Sequence, residues 1–88
     1  MAEVKLFANL RQFTDKTAVT SPGTTVADVL HALFNQYPAL AAAVLENNQP
    51  KPHVRIMVNG HAIELGDGLE TAVTDTDTIA IFPPIAGG

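Results

Sequence analysis

The sequence has no cysteine and no tryptophan, and only five basic residues against nine acidic ones. Without cysteine there is no disulfide, no thiolate metal site and no cysteine nucleophile. The chain must hold itself by packing alone, as cytoplasmic proteins commonly do, and a cytoplasmic location is the expectation. The cations Lys5, Arg11, Lys16, Lys51 and Arg55 are scattered, and the net charge is −4. A phosphate backbone calls for clustered lysine and arginine, so nucleic acid is not an expected partner. No apolar run approaches the roughly 20 residues of a membrane span, and no membrane partner is expected. The opening Met1-Ala2-Glu3-Val4-Lys5 lacks a basic stretch before an apolar core, so no signal peptide is expected; Ala2 in place of glycine excludes myristoylation.

Length is the other shortage. The chain has 88 residues, enough for one small domain. At that size only about 60–65% of the unfolded surface is buried, which allows one thin core. A buried active site of roughly 300–1,000 Å³ would consume much of it, which argues against an autonomous enzyme. At 47% apolar the chain is nevertheless globular rather than disordered.

The pattern along the chain alternates strand and helix signals. Val4, Leu6 and Ala8 alternate with Glu3, Lys5 and Phe7, the period of a strand. Residues 16–20 predict a second strand, with Asn9–Asp15 as the turn between them. Ser21-Pro22-Gly23 breaks the chain. Thr24 or Thr25 then caps a helix, with Asp28 three residues after Thr25 as in a capping box. Val26, Val29, Leu30, Leu33, Phe34 and Tyr37 line one face of that helix. Pro38 ends it at Tyr37 and opens a second, shorter helix through Leu45. Residues 47–52 read as a loop. Val54, Ile56 and Val58 mark a third strand, Asn59-Gly60 a type I′ hairpin turn, and His61–Leu65 the returning strand. Leu69–Val73 suits a single helical turn, and Thr78–Phe82 the last strand.

This order predicts an α+β roll, a mixed sheet with one main helix packed across it. Such a sheet has one covered and one open face. With Val4, Leu6, Val54, Ile56, Val58, Ile79 and Ile81 toward the helix, Phe7, Met57, Ala80 and Phe82 point the other way. Phe7, Met57 and Phe82 then form an apolar group edged by Lys5 and Arg55, and contiguous exposed apolar surface marks a partner site. The alternative is that these side chains cover a second minor core or scatter singly.

Sites for chemistry are otherwise sparse. His31, His53 and His61 fall on three different elements, and no metal site is expected. Asp67, Glu70, Asp75 and Asp77 do not follow the calcium-loop pattern. There is no phosphate loop, nucleophile elbow or dinucleotide fingerprint, so no cofactor is expected to bind.

What remains is Phe82-Pro83-Pro84-Ile85-Ala86-Gly87-Gly88. Two glycines let the last peptide enter a channel too narrow for other residues. Four extended residues reach about 13–14 Å, and the paired prolines restrict the direction in which they leave. The Gly88 carboxylate, with an ordinary pKa of about 3.3–3.7, is ionised at neutral pH. Being a weak electrophile, it needs activation, for instance as a mixed anhydride with a nucleotide phosphate, by a partner enzyme. A diglycine alone is also the composition of a frayed terminus or a cloning remnant; its surroundings decide between the two.

Those surroundings are distinctive. The β-grasp order of elements, the opening Val4-Lys5-Leu6-Phe7-Ala8-Asn9-Leu10-Arg11 and the closing Ile81-Phe82-Pro83-Pro84-Ile85-Ala86-Gly87-Gly88 resemble the MoaD/ThiS family of ubiquitin-like sulfur carriers. Pro22-Gly23-Thr24-Thr25-Val26, Val58-Asn59-Gly60 and Asp75-x-Asp77 match as well, so the resemblance spans essentially the whole chain. It implies a β-grasp domain over residues 1–84 and a flexible diglycine tail over 85–88. It also implies that Gly88 is adenylated by a ubiquitin-activating-like adenylyltransferase, which uses ATP, and becomes a thiocarboxylate. Gly87, with Ala86 and Ile85, would thread into an acceptor enzyme, and the family's partner surface would fall on Phe7, Met57, Phe82 and Pro83, with Leu65 near it. The closest general template is the small subunit of molybdopterin synthase, whose large subunit would be the acceptor. Val54–Gly60 and Asp67-Gly68-Leu69-Glu70-Thr71 also resemble carriers used in cysteine biosynthesis. Archaeal ubiquitin-like modifiers share the ending, and there Gly88 would join a lysine through an isopeptide bond.

Overall fold

The computed structural model describes residues 2–7, 10, 18–47, 49–52 and 54–82. The chain forms β1 (Ala2–Leu6), β2 (Ala18–Ser21), α1 (Val26–Gln36) and α2 (Pro38–Val44). The short β3 (Leu45–Glu46) and β4 (Gln49–Pro50), then β5 (Arg55–Val58), β6 (His61–Ala62) and β7 (Thr78–Phe82) complete it. The main sheet has the order β2-β1-β7-β5-β6. Its central pair, β1 and β7, is parallel and the other pairs are antiparallel. The turn expected over Asn9–Asp15 lies outside the described residues, Leu10 excepted, as do residues 16 and 17 of the expected second strand.

Strand alternation divides the sheet. Val4, Leu6, Val19, Ile56, Val58, Ile79 and Ile81 are buried beneath the helices. Helix α1 meets them with Val26, Val29, Leu30 and Leu33, its i, i+3, i+4, i+7 stripe. Phe34 and Tyr37 pack on the rim of this core. Each fully buried aliphatic side chain stabilises by about 1.5–3 kcal/mol, which is how a chain without cross-links holds together. Buried Ser21 satisfies its hydroxyl by donating to the Val29 carbonyl oxygen at 2.8 Å, tying β2 to α1.

Both helix boundaries have local causes. Thr25 caps α1, its Oγ1 accepting from the Asp28 N–H at 3.2 Å. The Asp28 carboxylate accepts from Thr24 Oγ1 at 3.2 Å, so the reciprocal half of a capping box is replaced by a bond to the neighbouring threonine. Gly23 precedes the cap at φ 152°, where an added Cβ would lie 2.6 Å from the Val29 nitrogen. Pro38 starts α2 in the first helical turn, where its missing N–H costs nothing.

Three expectations are corrected. The loop expected over residues 47–52 contains the two-residue strand β4, which pairs with β3 just before the loop, Leu45 to Pro50 and Glu46 to Gln49. Asn47 takes φ 54°, a left-handed turn geometry that asparagine tolerates. The returning strand stops at Ala62, and Ile63–Leu65 turns into a short 3-10 helix closed by the Gly66 N–H donating to the Ile63 carbonyl at 3.0 Å. The helical turn expected at Leu69–Val73 lies at Gly68–Glu70. Residues after it are extended because the open N-terminus of α1 needs them: the Val26 N–H donates to Thr71 at 3.0 Å and the Val73 N–H to Thr24 at 2.9 Å.

Candidate functional site

The open face of the sheet is built in rows set by register. In one row Lys5 faces Ala80 across the β1–β7 pair, Ala80 faces Met57, and Met57 faces Ala62. In the next, Phe82 faces Arg55, and Phe7, one residue past β1, lies beside Phe82. The Phe7 N–H donates to the Ile81 carbonyl at 3.3 Å, extending the parallel pairing by one step. The two rings stack with centroids 4.4 Å apart and planes inclined by 14°. Phe7, Met57 and Phe82 are all half-buried.

Charge surrounds this apolar centre. Lys5 is exposed on the same face. Arg55 holds Glu64 through an Nη1–Oε1 contact of 2.7 Å with both side chains more than half exposed, a pairing that in water orients the guanidinium more than it stabilises the fold. The sequence alone carries no signal for Glu64, because its place beside Arg55 depends on where β6 stops.

The structure brings together Phe7, Met57 and Phe82, and sets Leu65 apart from them. Leu65 ends the 3-10 helix at 88% exposure, the one large apolar side chain so exposed among the described residues. It lines a shallow groove with Asn59, His61, Ala62 and Asp67. Pro83, Ile85, Ala86, Gly87 and Gly88 lie outside the described residues.

The Asp75-x-Asp77 stretch has a structural role. Asn59 Nδ2 donates to Asp77 Oδ1 at 2.8 Å, and the Thr78 N–H donates to Asn59 Oδ1 at 3.0 Å. The Thr74 N–H donates to Asp77 Oδ2 at 2.8 Å. The bonds from Asn59 and then Thr74 hold the Asp77 carboxyl below the ordinary aspartate range. Together they tie the β5–β6 turn to the start of β7, the strand that leads to the terminus. Among the described residues no three of His, Asp or Glu gather as a metal-binding group. No helix among them is long and apolar enough to cross a membrane.

Known proteins resemble this chain in sequence and in fold. Small archaeal modifier protein 3 of Haloferax volcanii is 36% identical over 98% of this chain and 97% of its own. Sulfur carrier protein CysO of Mycobacterium tuberculosis is 32% identical over 81% of this chain and 80% of its own. A crystal structure of the BexX/CysO complex of Amycolatopsis orientalis matches at a TM-score of 0.92, with 26% identity and full coverage of both chains. The structural neighbours are ubiquitin-like β-grasp proteins. With the ThiS family profile matching residues 4–88, the chain belongs to the ThiS family, whose relatives include sulfur carriers and small archaeal modifiers.

Proposed function

We propose that this chain is a sulfur carrier, a co-substrate rather than a catalyst, whose working atom is the carboxyl carbon of Gly88. A ubiquitin-activating-like adenylyltransferase joins the Gly88 carboxylate to the AMP portion of ATP, releasing pyrophosphate. Hydrosulfide from a sulfur donor then attacks the acyl carbon, AMP departs with the former carboxylate oxygen, and Gly88 is left as a thiocarboxylate. The chain itself binds no cofactor. The Phe7–Met57–Phe82 face docks the partner, Pro83 aims the tail, and Ile85, Ala86 and Gly87 thread it into the acceptor's site. The reliance on ATP fits a cytoplasmic setting.

The observation that carries this reading is a family match running through the terminal diglycine, residues 4–88. For the acceptor, the reading is molybdopterin synthase, with sulfur passing to a pterin precursor. Two further readings each have a specific support. The relative named sulfur carrier protein CysO favours delivery to cysteine biosynthesis, and the relative named a small archaeal modifier favours an isopeptide bond from Gly88 to a lysine.

Incubation with a cognate activating enzyme, ATP and a sulfur donor tests the carrier. Its intact mass should rise by the difference between sulfur and oxygen, localised to Gly88. An unchanged mass would refute sulfur carriage, and Gly88-dependent conjugates with a diglycine remnant on lysine would favour the modifier reading. Adding the thiocarboxylated chain to a pterin-synthase large subunit, or to a cysteine synthase, separates the acceptors.

A further inference from the structure

Leu65 is held in water by the fold beneath it. Its side chain is 88% exposed, while Ile63, two residues earlier, is buried in the core. The Gly66 N–H closes the turn between them by donating to the Ile63 carbonyl at 3.0 Å. The turn is thus anchored on one side and presents an aliphatic knob on the other.

Beside the knob runs a shallow groove of about 490 Å³. Buried Val58 and Ile63 line it together with Ala62 and Ala72, so Leu65 continues an apolar surface and is not an isolated side chain. Ala62 is paired with Met57 and β6 is the last strand of the sheet. The groove therefore begins where the open face ends. None of Phe7, Met57 and Phe82 lines it, which makes it a separate surface.

Charge decides what can cover this surface. The groove is lined by the carboxylates of Asp67 and Asp77 and by no lysine or arginine. The surrounding sequence has the same sign: residues 56–88 contain neither cation, yet hold Glu64, Asp67, Glu70, Asp75 and Asp77, five of the nine acidic residues. Glu64 is taken by Arg55, whereas the Asp67 carboxylate makes no ion pair among the described residues. A second copy would bring the same carboxylates and a net charge of −4 against this groove, and the two would repel. A segment with lysine or arginine beside an aliphatic side chain matches both the sign and the apolar lining.

We propose that the Leu65 groove is a second docking surface, which takes a basic segment of a partner protein. An aliphatic side chain of that segment packs against Leu65 and Ala62, and a neighbouring cation meets the Asp67 carboxylate. This surface goes beyond the carrier reading and does not rest on it.

Amide NMR titrations of the full chain with three short peptides test the proposal. One peptide alternates leucine with arginine, the second serine with arginine, and the third leucine with glutamate. The leucine–arginine peptide should shift His61, Ala62, Gly66, Asp67 and Ala72 to saturation. The other two should bind about tenfold more weakly or not at all, since each lacks one of the two matches. Leu65→Ser should weaken the leucine–arginine peptide by about tenfold, as the loss of an anchor does. Asp67→Asn should weaken it by about two- to fivefold, the worth of one exposed ion pair, and added salt should act likewise. Equal binding of the serine–arginine peptide, or indifference to Leu65→Ser, overturns the proposal, because charge alone then attracts the peptide. Tighter binding of the leucine–glutamate peptide overturns the sign. Shifts centred on Phe7, Met57 and Phe82 place the peptide on the open face and overturn it as well. So does a concentration-dependent dimer in sedimentation that Leu65→Ser removes, since a second copy then fills the groove.

Discussion

Phe7 and Phe82 come from opposite ends of the chain, yet their rings stack at 4.4 Å. Their meeting is a consequence of topology. The first and last strands are neighbours and parallel, with Leu6 opposite Ile81, so the next residue of each lands side by side on the open face. The stack marks the point where the last strand hands over to the terminal tail. A partner that recognises it therefore also locates the root of Gly88's arm.

Phe82→Ala should weaken partner binding by about 2–4 kcal/mol, the range of an interface anchor. It should cost the monomer less, about 0.5–1.5 kcal/mol of aromatic pairing beyond the area lost. Calorimetric titration against the activating enzyme, beside urea unfolding of the free chain, separates the two. A large loss of stability with unchanged affinity would mean that the stack belongs to the fold and not to an interface.

Asp77 gives the fold an acid limit. Its folded pKa lies below the ordinary 3.8, because Asn59 and Thr74 donate to the charged form. A lowered pKa adds stability that is present above the unfolded value and is lost as pH falls through the folded one. Melting curves from about pH 6 to pH 3 should therefore show a decline at the acid end that Asp77→Asn flattens. An identical decline in the variant would assign it to other carboxylates.

Asn59 has two duties that substitution can separate. It sits at φ 50° and bridges Asp77 to Thr78 through its side chain. Asn59→Gly keeps the turn and loses the bridge, a cost of about 1 kcal/mol. Asn59→Ala loses the bridge and also strains the turn, adding about 1–2 kcal/mol. Equal stabilities for the two variants would show that the turn geometry contributes nothing.

Gly23 holds the approach to α1. At φ 152° and with 2.6 Å between a built Cβ and the Val29 nitrogen, alanine meets backbone that cannot yield. Gly23→Ala should cost about 2–3 kcal/mol, the scale of a strained backbone site. Thermal unfolding checks this, and a change under 0.5 kcal/mol would mean that the helix start shifts freely.

Removing Gly87 and Gly88 should leave the melting temperature within a degree or so, since neither residue has a side chain to bury, while abolishing thiocarboxylate formation and conjugation. Retained function would identify a plain interaction domain working through the Phe7–Phe82 face.

Much of the architecture was legible because it rests on local rules. The stripe from Val26 to Leu33, the Thr25 cap, the Pro38 boundary and the Asn59-Gly60 turn each follow from neighbouring residues. The alternation of β1, β5 and β7 is enough to assign the open face to Phe7, Met57 and Phe82. Errors fell where a segment answers to a distant partner. Thr71–Val73 is extended because the first turn of α1 has unpaired N–H groups, and β6 stops at Ala62 because Ile63 turns into the core. A window of sequence cannot show either demand.

By itself, then, the sequence determined the absence of cysteine chemistry, the alternation that makes one sheet face apolar, and a diglycine ending that agrees with the family resemblance. These are properties of composition and of short-range geometry. Only the tertiary structure decided that Phe7 meets Phe82, that Arg55 meets Glu64, and that the Asp77 carboxylate accepts from Asn59 across the β5–β6 turn. Those pairings depend on strand order and register, which are settled by burying the whole core at once and not by any one segment.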